Sequence, residues 1–295
     1  MINPVRRYSG LRFLRLVGFG IVVLFLQIPT IALASPSGQA DPVSSVSGHQ
    51  VEPRRTITFS DKRILFIGNS YTYYAKLPQF FQELIAQGDR HPVVEYQAGP
   101  GMSLSDHLAD PETMKLIDGG NWDIIIFQDH SLATIESPLN FFSVGQAIIT
   151  RAKKAGAQVL LFETWARKSG HDYYQAENTK RMRRNSKTQM IGGPKVMQRS
   201  ISFAYAKLAK RSGVNVIHIG QAMTMAAGLE PNLRVFDDDG SHPSLLGAQL
   251  AAMVVYSELT KRCPPSVAGS LLGSAAVVPS MFQRIVGQVV GLDCH

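Results

Sequence analysis

The chain has 295 residues, 45% of them apolar, which is enough for one large or two small domains with a real core. Its formal charge of +8 overstates the basic character of the body, because Arg6, Arg7, Arg12 and Arg15 all fall in the first 34 residues. Without those four, 26 basic residues face 22 acidic ones, and no basic module of the kind that grips nucleic acid is present, so a nucleic-acid partner is not expected.

Residues 1–34 read as an export signal. A basic start is followed by an apolar stretch from Leu16 to Ala34, ending in Ala32-Leu33-Ala34 before Ser35. Small residues at the last and third-last positions suit a signal peptidase, and Gln27 and Pro29 interrupt the stretch. The competing reading is an uncleaved anchor, since the stretch is nearly long enough to span a bilayer. With cleavage, no stable membrane span remains and the protein is periplasmic or secreted. Residues 35–58, rich in Ser, Pro, Gly and Gln, fit a flexible linker.

From residue 59 the pattern changes. Short apolar runs at Ile64–Ile67, Val93–Tyr96, Ile124–Phe127, Val159–Phe162 and Val214–Ile219 predict buried parallel strands. Amphipathic stretches at Gln79–Ala86, Phe141–Ala155 and Lys195–Arg211 predict helices between them. Strand and helix alternate five times, which predicts one doubly wound α/β domain over 59–262, a three-layer sandwich around a five-stranded parallel sheet. Ligands of such sheets sit at the carboxyl ends of the strands, where Ser70 and Gln128 fall.

One interval breaks the rhythm. Residues 167–194 carry Lys168, Lys180, Arg181, Arg183, Arg184 and Lys187 together with Tyr173 and Tyr174. A segment this long is either a lid over the catalytic edge or one solvated helix face. Trp165, Tyr173 and Tyr174 are candidates to line a sugar or acyl pocket, with packing at the sheet edge as the alternative for Trp165. Residues 263–295 form a C-terminal extension that holds the only two cysteines, Cys263 and Cys294. In an oxidising compartment these can close one loop over the tail, and their spacing matches no zinc motif.

The chemistry rests on two places. The first strand ends in Gly68-Asn69-Ser70, and far downstream comes Asp239-Gly240-Ser241-His242, then Pro243 and a helical stripe of Leu246, Leu250 and Val254. A serine at a strand mouth and a late Asp-x-x-His can supply a nucleophile, a base and an orienting carboxylate. Pro243 suits the first turn of the helix that anchors His242. No Gly-x-Ser-x-Gly occurs, which argues against an α/β-hydrolase elbow. Asp237-x-Asp239-Gly240 lacks the later glutamate of a calcium loop, and Asp129-His130 alone is a weak metal pair, so no metal is expected. There is no Gly-x-Gly-x-x-Gly or Walker loop, so no nucleotide or other cofactor is expected.

Over residues 63–256 the chain resembles the SGNH (GDSL-like) hydrolase superfamily. Its nucleophile block is similar to Ile67-Gly-Asn-Ser70 and its last block to Asp239-x-x-His242. The resemblance implies a flavodoxin-like fold and an esterase with Ser70, Asp239 and His242 as catalytic residues. It further implies an oxyanion hole built from the Ser70 and Gly101 N–H groups. Where the family carries an asparagine after the third strand, this chain has Gln128, whose amide is the implied third donor. The expected substrate is a small acyl ester or an acylated carbohydrate. Acyl transfer onto a glycan and a non-catalytic glycan-binding protein are the alternatives on the same fold, and a metal-dependent phosphoesterase is an outsider.

Overall fold

The computed structural model describes residues 61–86, 92–175, 193–230, 232–265 and 277–294, all within one unit spanning Arg54–His295. The export signal, the linker and residues 176–192 of the basic interval lie outside the described residues.

Five strands form one parallel sheet: β1 (Arg63–Gly68), β2 (Val93–Ala98), β3 (Ile124–Phe127), β4 (Gln158–Phe162) and β5 (Asn215–Ile217), in the spatial order β2-β1-β3-β4-β5. That is the flavodoxin-like order expected of a doubly wound sheet. Ile64 pairs in register with both Val94 and Ile124, so β1 is an interior strand. Alternation does the sorting within it: Ile64 and Phe66 join one core cluster, Leu65 and Ile67 the other. Both faces are covered over β1, β3 and β4, which is why these strands read as continuous apolar runs rather than alternating ones. By contrast β2, expected to be buried, is an edge strand whose residues are all exposed or half-buried.

The helices are α1 (Ser70–Tyr73), α2 (Leu77–Ile85), α3 (Leu104–Ala109), α4 (Pro111–Gly119), α5 (Ala133–Glu136), α6 (Pro138–Lys154), α7 (Pro194–Ser212), α8 (Ile219–Leu229), α9 (Leu245–Thr260) and α10 (Val277–Val290). One face of the sheet carries α2, α8, α9 and α10, and the other carries α3, α4, α6 and α7. Pro begins α4, α6 and α7, where its missing N–H costs nothing.

Several expectations shift. The fifth strand stops at Ile217, because His218 and Ile219 already enter α8. Pro243 is not in the first turn of α9. It pairs with Phe236 in an isolated bridge, and Ser244 caps the helix by accepting the Gly247 N–H. The stripe Leu246, Leu250, Val254 understates α9, in which twelve residues from Gly247 to Leu259 are buried because α2, α8 and α10 pack around it. The tail is no appendage either: Phe282, Ile285 and Val286 are buried in the same cluster as α9. A Cys263–Cys294 disulfide closes that segment over 31 residues, a loop whose closure in the unfolded chain is worth about 3–4 kcal/mol.

Candidate active site

At the carboxyl edge of the sheet, β1 ends in Gly68 and the chain turns at once into α1. Asn69 is the cap of that short helix: its side-chain oxygen accepts the Tyr71 N–H at 3.1 Å. Ser70 is therefore the first helical residue. Its N–H makes no hydrogen bond among the described residues.

The second part comes from the loop between α8 and α9. Gly240 takes a positive φ of 63°, and the Asp239 carboxylate accepts the N–H groups of Ser241 and His242 at 2.8 and 2.9 Å. This Asx-type turn curls the loop so that His242 Nδ1 lies 2.5 Å from Asp239 Oδ2. His242 Nε2 then faces Ser70 Oγ at 2.9 Å. With Nδ1–H donating to the carboxylate, Nε2 is left to accept the serine proton, the tautomer that the two partners dictate. Burial pushes the Asp239 carboxyl up. The hydrogen bonds from the His242 side chain and the two N–H groups outweigh it and hold the carboxyl below its usual range. The edge of Tyr71 and the tilted ring of Tyr74 flank the imidazole, with centroids 5.7 and 4.8 Å away. Sequence positions 172 residues apart are thus brought to one chain of hydrogen bonds.

Gly101 has φ 66°, a conformation that glycine takes without penalty, and its N–H also makes no hydrogen bond among the described residues. The next residue's carbonyl, that of Met102, accepts from the Asn69 amide at 2.8 Å, which ties this loop to the serine.

Gln128 has a different role from the one expected. It is fully buried, and both N–H groups of its amide are spent, on the Asn69 side-chain oxygen at 3.0 Å and on the Asp129 carbonyl. Its oxygen accepts from the Asn69 N–H at 3.0 Å and from the Thr72 hydroxyl at 2.9 Å. No donor is left for an oxyanion. Gln128 instead fixes Asn69, and a side chain at Gly68 would meet its oxygen at 2.5 Å. His107, also fully buried, holds the Gly68 carbonyl through Nε2 at 2.7 Å.

Trp165 is fully buried and does not line an open pocket. It stacks on Tyr71, with centroids 4.3 Å apart, and its indole N–H donates to the Ser241 carbonyl at 2.9 Å. Tyr173 and Tyr174 are half-buried around a 3-10 turn, and the Tyr174 hydroxyl donates to the Arg167 carbonyl at 2.7 Å. Asp129 accepts the N–H of Leu104 at 2.9 Å and that of His130 at 2.7 Å, so it anchors α3. Among the described residues no group of three His, Cys, Asp or Glu could hold a metal ion.

Asn69, Tyr71, Arg167 and Ser241 are site residues that the sequence did not single out. Asn69 was visible as a capping residue before a helix. The other three come together only through the fold: the Arg167 guanidinium donates to the Tyr71, Ser241 and Ser131 hydroxyls, the last at 2.9 Å.

Comparison with solved structures recovers the expected class of fold. An SGNH hydrolase candidate from Slackia heliotrinireducens superposes with a TM-score of 0.55 and 24% identity, covering 69% of this chain and all of that one. A DUF4886 family protein from Bacteroides uniformis gives 0.62 at 17% identity, covering 80% of this chain and 98% of that one. A GDSL-like lipase candidate from Parabacteroides merdae gives 0.53 at 15%, covering 70% and 98%. Neither a family model nor a curated protein matches the chain. The domain has the fold of the SGNH (GDSL-like) hydrolases.

Proposed function

We propose that the protein is an exported serine esterase that hydrolyses small acyl groups, with O-acylated carbohydrate as its substrate class. The observation that carries this reading is the continuous Ser70–His242–Asp239 chain, with contacts of 2.9 and 2.5 Å. The fold shared with SGNH hydrolases supports the reaction class, and the disulfide and the apolar Leu16–Ala34 stretch support export to the periplasm or beyond.

In this mechanism Ser70 Oγ attacks the ester carbonyl carbon while its proton passes to His242 Nε2. The carbonyl oxygen becomes an oxyanion facing the unspent N–H groups of Ser70 and Gly101. Collapse breaks the bond to the alcohol, which leaves with the proton from His242. Water, deprotonated by the same imidazole, then cleaves the acyl-enzyme and returns Ser70. Asp239 keeps the imidazole in the right tautomer and stabilises the imidazolium.

The test is hydrolysis of a short-chain aryl ester and of acetylated polysaccharide by purified protein. Ser70→Ala and His242→Ala should each remove nearly all activity, because such residues act as a unit, and EDTA should leave it unchanged. Full activity in Ser70→Ala would overturn the assignment, and loss on chelation would move it to metal chemistry.

A further inference from the structure

Arg167 follows β4 and its buried extension through Ala166, and its guanidinium enters the site half-buried. It donates only to neutral hydroxyls, and its one other close partner is the Tyr71 ring, whose centroid lies 5.8 Å from Cζ. Tyr71 is the neighbour of Ser70 in the chain, Ser241 is the neighbour of His242, and Ser131 lies just beyond β3. No carboxylate of the described residues lies within ion-pair distance of it. Three hydrogen bonds occupy a group with five N–H donors, so part of the fork remains to be used. A half-desolvated cation matched with hydroxyls and one ring at 5.8 Å, but with no anion, is poorly compensated, and a planar carboxylate is the complement that its geometry fits. Arg167 also borders a cavity of about 530 Å³ whose lining adds Lys168, Lys195 and Arg234 and, among the described residues, contains no Asp or Glu. Arg234 is already paired with Asp238, whereas no ion pair among the described residues engages Lys168 or Lys195.

We propose that this site selects esters bearing a carboxylate, with Arg167 as the residue that recognises it; the proposal rests on the reading of Ser70 and His242 as the reacting pair. The carboxylate can sit on the alcohol part, as in an O-acylated uronic acid, or on the acyl part, as in a half-ester of a dicarboxylic acid. Both present the same planar anion to the guanidinium.

The experiment uses matched pairs of esters on the full protein. Phenyl acetate against 3-carboxyphenyl acetate reads the alcohol side, and 4-nitrophenyl acetate against 4-nitrophenyl hydrogen glutarate reads the acyl side. In the wild type, kcat/KM for the carboxylate-bearing partner should exceed that of its neutral match by about 10–100-fold in one pair, the size of one charge-assisted contact. Arg167→Gln should collapse that ratio, Arg167→Lys should restore part of it, and added salt should shrink it in the wild type. An equal fall for both esters of a pair in Arg167→Gln, leaving the ratio intact, would overturn the proposal in favour of a role in holding Tyr71 and Ser241. A binding arm separates this from the esterase reading. Calorimetric titration of Ser70→Ala with 3-carboxyphenyl acetate and 4-nitrophenyl hydrogen glutarate should show binding that Arg167→Gln removes. If no ester is hydrolysed by the wild type but this Arg167-dependent binding persists, the esterase reading falls and the anion site stands. If hydrolysis depends on Ser70 while neither preference nor binding depends on Arg167, the reverse holds.

Discussion

Two histidine–carboxylate pairs lie on the carboxyl edge of the sheet, and they are opposite in design. His242 faces Asp239 through Nδ1 and Ser70 through Nε2, on a loop where the Asp239 side chain is 48% exposed. His218 faces Glu163 through Nδ1 at 2.8 Å, and Glu163 is fully buried. The remaining Glu163 oxygen accepts from the Gln198 amide at 2.7 Å and from the Ser202 hydroxyl. The hydroxyl beside this second pair is thus bound to the carboxylate, not to the imidazole. The first pair aims an imidazole nitrogen at the Ser70 hydroxyl. In the second the carboxylate spends both oxygens tying the ends of β4 and β5 to α7, and His218 Nε2 meets no hydroxyl among the described residues. A histidine beside an acid is therefore no signature of catalysis unless its other nitrogen faces a group that can react.

Replacing the acid in each pair tests that contrast most strongly. Asp239→Asn should lower kcat by roughly 10²–10⁴-fold with the fold intact, since the imidazole loses its orienting charge and tautomer. Glu163→Gln should leave kcat of the folded protein within a few-fold and lower the melting temperature instead, because a buried network loses its central acceptor. Equal losses of kcat in the two variants would erase the distinction.

The same distinction between spent and unspent polar atoms applies to Gln128. Gln128→Ala should cost about 2–4 kcal/mol of stability, since the Asn69 N–H and the Thr72 hydroxyl lose a buried acceptor. Its kcat should fall less than about tenfold. A 10²-fold fall in kcat at an unchanged melting temperature would return Gln128 to the oxyanion hole. Thermal melts and steady-state kinetics on one preparation decide between them.

Why some of this was legible in the sequence and some was not follows from the range of each interaction. The inner strands could be read because parallel strands buried on both faces must be continuous apolar runs, and the cores at Ile64–Ile67 and Ile124–Phe127 fall inside β1 and β3. The edge strand β2 is located by its apolar start alone and is not buried. Ser70, Asp239 and His242 could be read because strand exit and Asp-x-x-His spacing are local. The short α3 and α4 escaped because caps and proline, rather than a long apolar stripe, set their bounds. The role of Gln128 was misjudged because sequence gives the reach of an amide but not which partners consume it. Arg167 was lost in a run of basic residues, as its three hydroxyl partners lie 36 to 96 positions away.

The smallest effect is the most specific to the second pair. The hydrogen bond to Glu163 raises the His218 pKa above its ordinary value, against the lowering effect of burial. A group whose folded pKa lies above its unfolded value of about 6.5 contributes stability that is complete below that pH. That contribution is lost as pH climbs through the raised folded value. Wild-type protein should therefore lose more melting temperature than His218→Gln on going from mildly acidic to mildly alkaline buffer. The difference should be roughly 2–4 °C, the response of a domain this size to about 1 kcal/mol. Because His242 and Asp239 are present in both proteins, subtracting the two profiles removes their share. Parallel profiles would mean that the Glu163–His218 contact carries no net proton linkage, and the second pair would then be held by the Gln198 and Ser202 hydrogen bonds alone.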